Sequence, residues 1–507
     1  MRIRNALLNG VTGLVSQFFI IILGFVQRAI FINILGEELL GYNSTFTNIL
    51  SILSVTELGL GAAITFCLYK PLHDQDLNKV AGIMNLFKKF YAVIGIVVFS
   101  LALITSPFIQ IFLNGYTQPL AYIRTIFLLY AFNSVITYFL GYPRTFLFAA
   151  QKNYYVTLTD FFAKVILLVG QIAVLVLTGN YLLFLFLVTI TNTLSNVILR
   201  QIYAKNYPEI INNKSKIDDE SKRKIISVLK YLSISTVISV GVFGTDNIII
   251  SSFVGVTVAG FYGNYAMIVT QIQTMFIALV NGAVAGLGDV VAEGDLEKIR
   301  KIFKVYDFTY YLIASFVGLS FYVLFNPFIG DIWIKQSQFV LDMKIVSVIV
   351  FNAFMYYRRQ PIWQFQNVAG LFKECLPFSI VELFLNLFLS IFLVIKMGLI
   401  GVFIATSVAY LVSWVGQALM IHRYCLKIEV KGYFFKQIYY FLIWIFEIVI
   451  VMLLGQFFNS NSYLHFGYLL ILCAIVPNLI NILIFGKSEE FSYLKQNIIN
   501  RLLKRKV

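Results

Sequence analysis

Fourteen apolar runs of about 20 residues, separated by short polar breaks, leave this 507-residue chain few ways to fold. A run of that length matches the hydrocarbon thickness of a bilayer. Inside hydrocarbon every backbone amide needs a partner from its own chain, so each run is expected to be a spanning helix. The runs lie at 8–35, 42–69, 88–114, 120–140, 154–177, 181–203, 226–253, 260–286, 306–330, 339–357, 375–395, 399–421, 436–457 and 464–486. The residue content agrees, at 59% hydrophobic and 12% charged with a mean hydropathy of +0.84, because a water-soluble chain must cover itself with far more charge. The expected fold class is all-α, a polytopic membrane protein.

The first twelve runs form two sets of six. Gly36 and Gly41 recur as Gly255 and Gly260, and Asp76-Leu77-x-Lys79 recurs as Asp295-Leu296-x-Lys298. Ser-Pro107-Phe-Ile matches Asn-Pro327-Phe-Ile, Gly-Tyr-Pro143 matches Arg-Gln-Pro361, and Thr-Gly179-Asn matches Met-Gly398-Leu, all at offsets of 218 to 220. Five matches in chain order mark a duplication, and a pair of six-helix copies is a way transporters are built. The reading gives an N-lobe at 1–204, a polar cytoplasmic linker at 205–225, a C-lobe at 226–425, an extra helix pair at 426–486 and a basic tail at 487–507. An even number of spans per copy inserts both copies in the same direction, which predicts a two-fold axis along the membrane normal.

The net charge of +15 reads as topology rather than nucleic-acid binding, because the cations sit on alternate loops. Arg2 and Arg4, Lys70 to Lys89, Arg144 and Lys152, Arg200 to Lys230, Lys298 to Lys304, Arg358, Arg359 and Lys373, Arg423 to Lys436, and Lys487 to Lys506 fall on one side. By the positive-inside rule that side, with both termini, is cytoplasmic. The start lacks a small-residue cleavage site, so it is expected to remain as the first span. Cys67, Cys375, Cys425 and Cys473 are scattered singly, as are His73, His422 and His465, so no metal site and no catalytic constellation is expected. The outer loops are too short for a catalytic domain.

Charges inside the spans are the functional candidates, since each costs on the order of 2.5–3.5 kcal/mol at the bilayer centre on insertion scales. Arg28 matches Asp246 and Lys164 matches Glu382 at 218, while Arg124 matches Lys344 at 220. Glu57 has no counterpart. Structural readings stand beside these: Asp160 and Lys164 can neutralise each other across one turn, Arg124 and Lys344 can snorkel to the interface, and Arg28 and Asp246 can form an ion pair.

Arg28 with Leu35-Gly-Glu-Glu-Leu-Leu-Gly-Tyr-Asn, then Thr56-Glu-Leu-Gly-Leu-Gly, Tyr69-Lys-Pro-Leu and Thr245-Asp-Asn-Ile-Ile-Ile-Ser, resembles the bacterial polysaccharide repeat-unit flippases. These belong to the multidrug, oligosaccharidyl-lipid and polysaccharide exporter superfamily. The resemblance covers essentially the whole chain and implies two six-helix bundles around a central cavity, usually with fewer helices than this chain has. It also implies that an undecaprenyl-pyrophosphate-linked oligosaccharide is moved from the inner to the outer leaflet of the bacterial cytoplasmic membrane. An anionic pyrophosphate calls for cations, of which Arg28 leads, followed by Lys164, Arg124 and Lys344. Asp246, Glu57 and Glu382 are the gating or ion-coupling candidates, for H+ or Na+. No other cofactor is expected, and no Walker-type loop points to ATP. The expected partners are the lipid-linked oligosaccharide, membrane lipids, a polysaccharide polymerase and glycosyltransferases. Two competing readings are a cation-coupled multidrug antiporter of the same superfamily and a membrane polymerase or ligase.

Overall fold

Helix follows helix through all the residues that the computed structural model describes, and no strand occurs among them. These residues are 2–54, 60–217, 244–458 and 462–503, together with 222, 223, 225, 226, 237, 238, 240 and 241. Packing divides the chain into two units, Met1–Asn264 and Tyr265–Val507. Ten helices among the described residues are long and apolar enough to cross a membrane. Of the other four runs, residues 55–59 of 42–69 and most of 226–253 lie outside the described residues. Of the remaining two, 260–286 falls within a longer helix, and 339–357 overlaps one that starts at Met343 and continues to Ala369.

The first unit begins with α1 (Arg2–Leu53), which Gly36 interrupts at φ 83 and ψ −178. That conformation is open to glycine and strained for other residues. The first expected span therefore continues, through a kink, into the first half of the second, whose later half is α2 (Leu60–His73). Then come α3 (Leu77–Thr105), α4 (Leu120–Leu140), the short α5 (Tyr142–Ala149), α6 (Asn153–Thr178), α7 (Tyr181–Asn206), α8 (Pro208–Ile211) and α9 (Asp246–Ile249). The helix α10 (Val256–Glu293) starts in this unit and runs into the second.

The duplication is visible as repeated local structure. Asp76 caps α3 by accepting from the Lys79 amide at 2.9 Å, and Asp295 caps α11 (Leu296–Pro327) by accepting from the Glu297 amide at 3.0 Å. Each cap satisfies backbone donors that have no partner inside the helix. Gly36 and Gly255 both leave helical geometry at positive φ, and Gly179 and Gly398 both end helices that way.

A second repeated pair, Gly41 and Gly260, meets where α1 crosses α10. A Cβ on Gly41 would stand 2.0 Å from the Val256 carbonyl oxygen, and one on Gly260 would stand 3.0 Å from the Gly41 nitrogen. Backbones approach that closely only without side chains. Gly41→Ala is expected to destabilise the protein by about 1–3 kcal/mol through overpacking, seen as a lower melting temperature in detergent. An unchanged melting temperature would show that the crossing is loose.

The polar stretch after α8 is tied down rather than loose. Asn85 on α3 donates to the carbonyls of Asn213 and Ser215 at 2.9 and 3.2 Å, and Asn213 donates to Asn78 at 2.8 Å. Gly82 leaves room for it, since a Cβ there would meet the Ile217 nitrogen at 2.9 Å.

The second unit holds α11, α12 (Met343–Ala369), α13 (Phe372–Met397), α14 (Leu399–Met420), α15 (Lys431–Gly455), α16 (Ser462–Phe485) and α17 (Glu489–Leu503). The pair α13 and α14 packs closely because Gly416 admits the Phe378 ring and Gly401 the Leu393 backbone. The extra helices α15 and α16 pack on α11, where Phe308 and Tyr311 meet Tyr440 and Ile443. They also contribute polar partners: Glu447 accepts from Ser315 of α11 and, at 2.6 Å, from Asn481 of α16.

One expectation is corrected. Arg358 and Arg359 are not loop residues of a basic cytoplasmic patch, because α12 continues through Pro361 to Ala369 and leaves each arginine 1% exposed. Paired acids supplied by other helices make that burial tolerable.

Candidate functional site

Arg28 lies on α1 against the start of α10. Its Nε donates to the Asn264 side-chain oxygen at 3.1 Å, and Asn264 is fully buried. Gly263 makes the approach possible, because a Cβ there would stand 3.2 Å from a terminal Arg28 nitrogen and 2.6 Å from Ser44 Oγ. The two terminal nitrogens of Arg28 make no hydrogen bond among the described residues. Its electrostatic neighbours are the hydroxyls of Tyr130 and Tyr181, 3.1 Å apart. An anchored guanidinium with its fork open is suited to a bidentate oxyanion.

Lys164 lies in the same unit on the wall of a cavity of about 520 Å³ between α4, α5, α6 and α7. Asp160, one turn before it, pairs with Arg144 of α5 at 2.6 Å instead, and also accepts from Ser195 at 3.1 Å. Arg144 further donates to Asn196 at 2.7 Å and to Ser195 at 2.8 Å. Lys164 makes no hydrogen bond or ion pair among the described residues, so its ammonium is free to meet a ligand. Arg144, expected in a cytoplasmic loop, is thus a cavity residue.

The other candidates are not brought to either place. Arg124 donates to the Pro107 carbonyl at 3.1 Å near the start of α4. Asp246 opens α9, which packs against α1. In the second unit Lys344 is exposed in the first turn of α12, where Asp342 accepts from its amide at 2.7 Å. Glu382 is buried in a two-pronged ion pair with Arg359, at 2.8 and 2.6 Å. Glu57 lies outside the described residues.

Sequence reasoning missed the buried cluster of Arg358, Asp307 and Gln437. Arg358 donates to the Asp307 carbonyl at 2.7 Å and its carboxylate at 2.5 Å, and Gln437 of α15 donates to that carboxylate at 3.1 Å. The Tyr440 ring stacks on the guanidinium at 5.2 Å. The Arg358-Arg359 pair after an apolar run read as loop charge, and Asp307, at the start of the 306–330 run, was not singled out.

The described residues form an all-helical membrane fold with cations held in its spans, a fold shared with solved transporters. The inward closed conformation of the Lipid II flippase MurJ matches over 94% of this chain and 99% of its own, at 15% identity and a TM-score of 0.69. An inward-facing multidrug resistance MATE family transporter of the MOP superfamily covers 81% of this chain and 98% of its own, at 13% identity and 0.60. A MOP superfamily transporter from Pyrococcus furiosus covers 82% and 95%, at 14% and 0.55. At these identities the likeness is one of fold. No curated protein sequence matches. Residues 7–285, more than half of the chain, match the family described as polysaccharide biosynthesis protein, and the chain belongs to that family.

Proposed function

We propose that this protein flips an undecaprenyl-pyrophosphate-linked oligosaccharide repeat unit from the inner to the outer leaflet of the bacterial cytoplasmic membrane, for surface polysaccharide synthesis. The observation that carries the reading is the open guanidinium fork of Arg28, anchored by Asn264 within a spanning segment. Family membership supports the glycan part of the reading and the fold shared with the Lipid II flippase supports the transport part. A pyrophosphate cannot cross hydrocarbon bare, whereas a polyprenyl tail can remain in it. A cation held in the bundle supplies what the headgroup loses on leaving water.

In this reading both termini are cytoplasmic, alternating access moves the headgroup, and a polymerase and glycosyltransferases act on either side of the step. Asp246, at the repeat position of Arg28, is proposed to pair with it in the outward-closed state and to release it when anionic substrate or a cation arrives. Glu57 and Glu382 remain the proposed ion-coupling acids, and the proposed ion is H+ or Na+. Free cations at Arg28 and Lys164 argue against export of cationic drugs.

The test is reconstitution with a fluorescent polyprenyl-pyrophosphate oligosaccharide and a membrane-impermeant quencher. Protein-dependent transfer to the outer leaflet is the expected result. No transfer, combined with broad resistance to cationic amphiphiles on overexpression, would favour the antiporter, and polymer made by the pure protein would favour an enzyme.

A further inference from the structure

The cavity at Lys164 occupies positions that the second repeat fills with side chains. At the offset of 218, Gly141 corresponds to Arg359, Lys164 to Glu382, Thr145 to Trp363, Asn192 to Tyr410 and Ser195 to Ser413. In the second unit these partners form one solid cluster. Arg359 grips Glu382 with both terminal nitrogens, reaches Ser413 at 3.3 Å, and lies 4.9 Å from the Trp363 ring and 4.4 Å from the Tyr410 ring. The pair is sealed, with side chains 1% and 5% exposed.

In the first unit glycine replaces the arginine, and threonine and asparagine replace the two rings. What the second repeat fills is here the cavity, and the acid at its wall has become a lysine. The serine is kept, bonded now to Arg144. The chain therefore retains one half of an ion pair, with its sign reversed, and leaves the other half to be supplied from outside.

We propose that this cavity binds an acidic sugar of the translocated glycan, its carboxylate on Lys164 and its hydroxyls on the surrounding polar groups. The proposal rests on the flippase reading for the identity of the glycan. Charge selects a carboxylate over the pyrophosphate. Arg144 is neutralised by Asp160, which leaves Lys164 as a single uncompensated positive charge and suits a monoanion. A pyrophosphate would bring more negative charge than one ammonium can balance at a place where unbalanced charge is costly. The walls suit a sugar, since Thr137, Asn192, Ser195 and Asn196 contribute hydroxyl and amide groups and Tyr91 and Tyr138 contribute aromatic rings to the lining. The volume lies within the range of small-molecule sites.

The experiment measures binding of glucuronate, glucose, acetate and inorganic phosphate to the full-length protein in lipid nanodiscs. Glucuronate is expected to bind best, and Lys164→Gln to weaken it by about tenfold or more, as loss of a charge-assisted hydrogen bond implies. Lys164→Arg should restore most of the affinity. Thr145→Trp, which introduces the ring found in the second repeat, should block glucuronate while the melting temperature shows the protein folded. Glucuronate affinity unchanged in Lys164→Gln overturns the proposal. So does glucose binding as tightly as glucuronate, or phosphate binding more tightly through Lys164. Failure of the wild-type protein to flip any lipid-linked oligosaccharide overturns the flippase reading instead, and the glucuronate measurement is read independently of it.

Discussion

Arg359→Leu is expected to destabilise the protein by about 3–5 kcal/mol, because it strands the Glu382 carboxylate in a sealed pocket. The two side chains make paired hydrogen bonds at 2.8 and 2.6 Å, and water has almost no access to either. Removing either partner leaves a bare charge, so Glu382→Leu alone should cost a comparable amount. The double variant Arg359→Leu with Glu382→Leu should regain most of the loss, since an apolar pair owes no desolvation penalty. Melting temperatures of the three variants in one detergent check this. A double variant as unstable as the singles would mean that the pair has further obligations, such as the contacts of Arg359 with Ser413 and the flanking rings. The same set bears on coupling. If Glu382 must bind an ion during transport, the double variant will be folded but inactive; if its role is structural, it will be folded and active.

Arg28→Ala is expected to slow translocation by about ten- to hundredfold, the equivalent of one or two charge-assisted hydrogen bonds to phosphate. Arg28→Lys should recover only part of this, because an ammonium keeps the charge and loses the planar fork. Asp246→Asn is expected to impair transport too, by removing the group proposed to hold Arg28 in the outward-closed state. Initial rates with the reconstituted protein measure all three. If Arg28→Ala and Asp246→Asn both transport normally, the phosphate role fails. Gly263 offers an independent check through geometry. A methyl group there would crowd Ser44 at 2.6 Å and Arg28 at 3.2 Å, so Gly263→Ala should impair transport while every charge stays in place.

Much of the architecture was legible because it rests on local rules. Asp76 and Asp295 recur in register and cap helices that begin ahead of the apolar runs at 88 and 306, and the repeated Gly179 and Gly398 end helices. Gly36 was legible as a boundary but not as a kink, since the chain on both sides remains helical. Arg358 and Arg359 misled because charge beside an apolar run is the usual mark of a loop. Only an acid from another helix reverses that reading, and Asp307 stands 51 residues before Arg358.

The amino-acid order alone determined the all-helical membrane class, the internal repeat and the positions where charge enters the spans. Each follows from apolar run length and from an offset that needs no knowledge of neighbours. The tertiary structure alone decided which charge meets which. Asp160 could not be awarded to Arg144 rather than Lys164, nor Glu382 to Arg359, until the helices were packed. The partners lie 16 and 23 residues apart on different helices. Helical periodicity specifies which face a residue occupies, whereas the register between helices is set by side-chain packing across them. That register leaves Lys164 facing an open cavity while its counterpart is sealed.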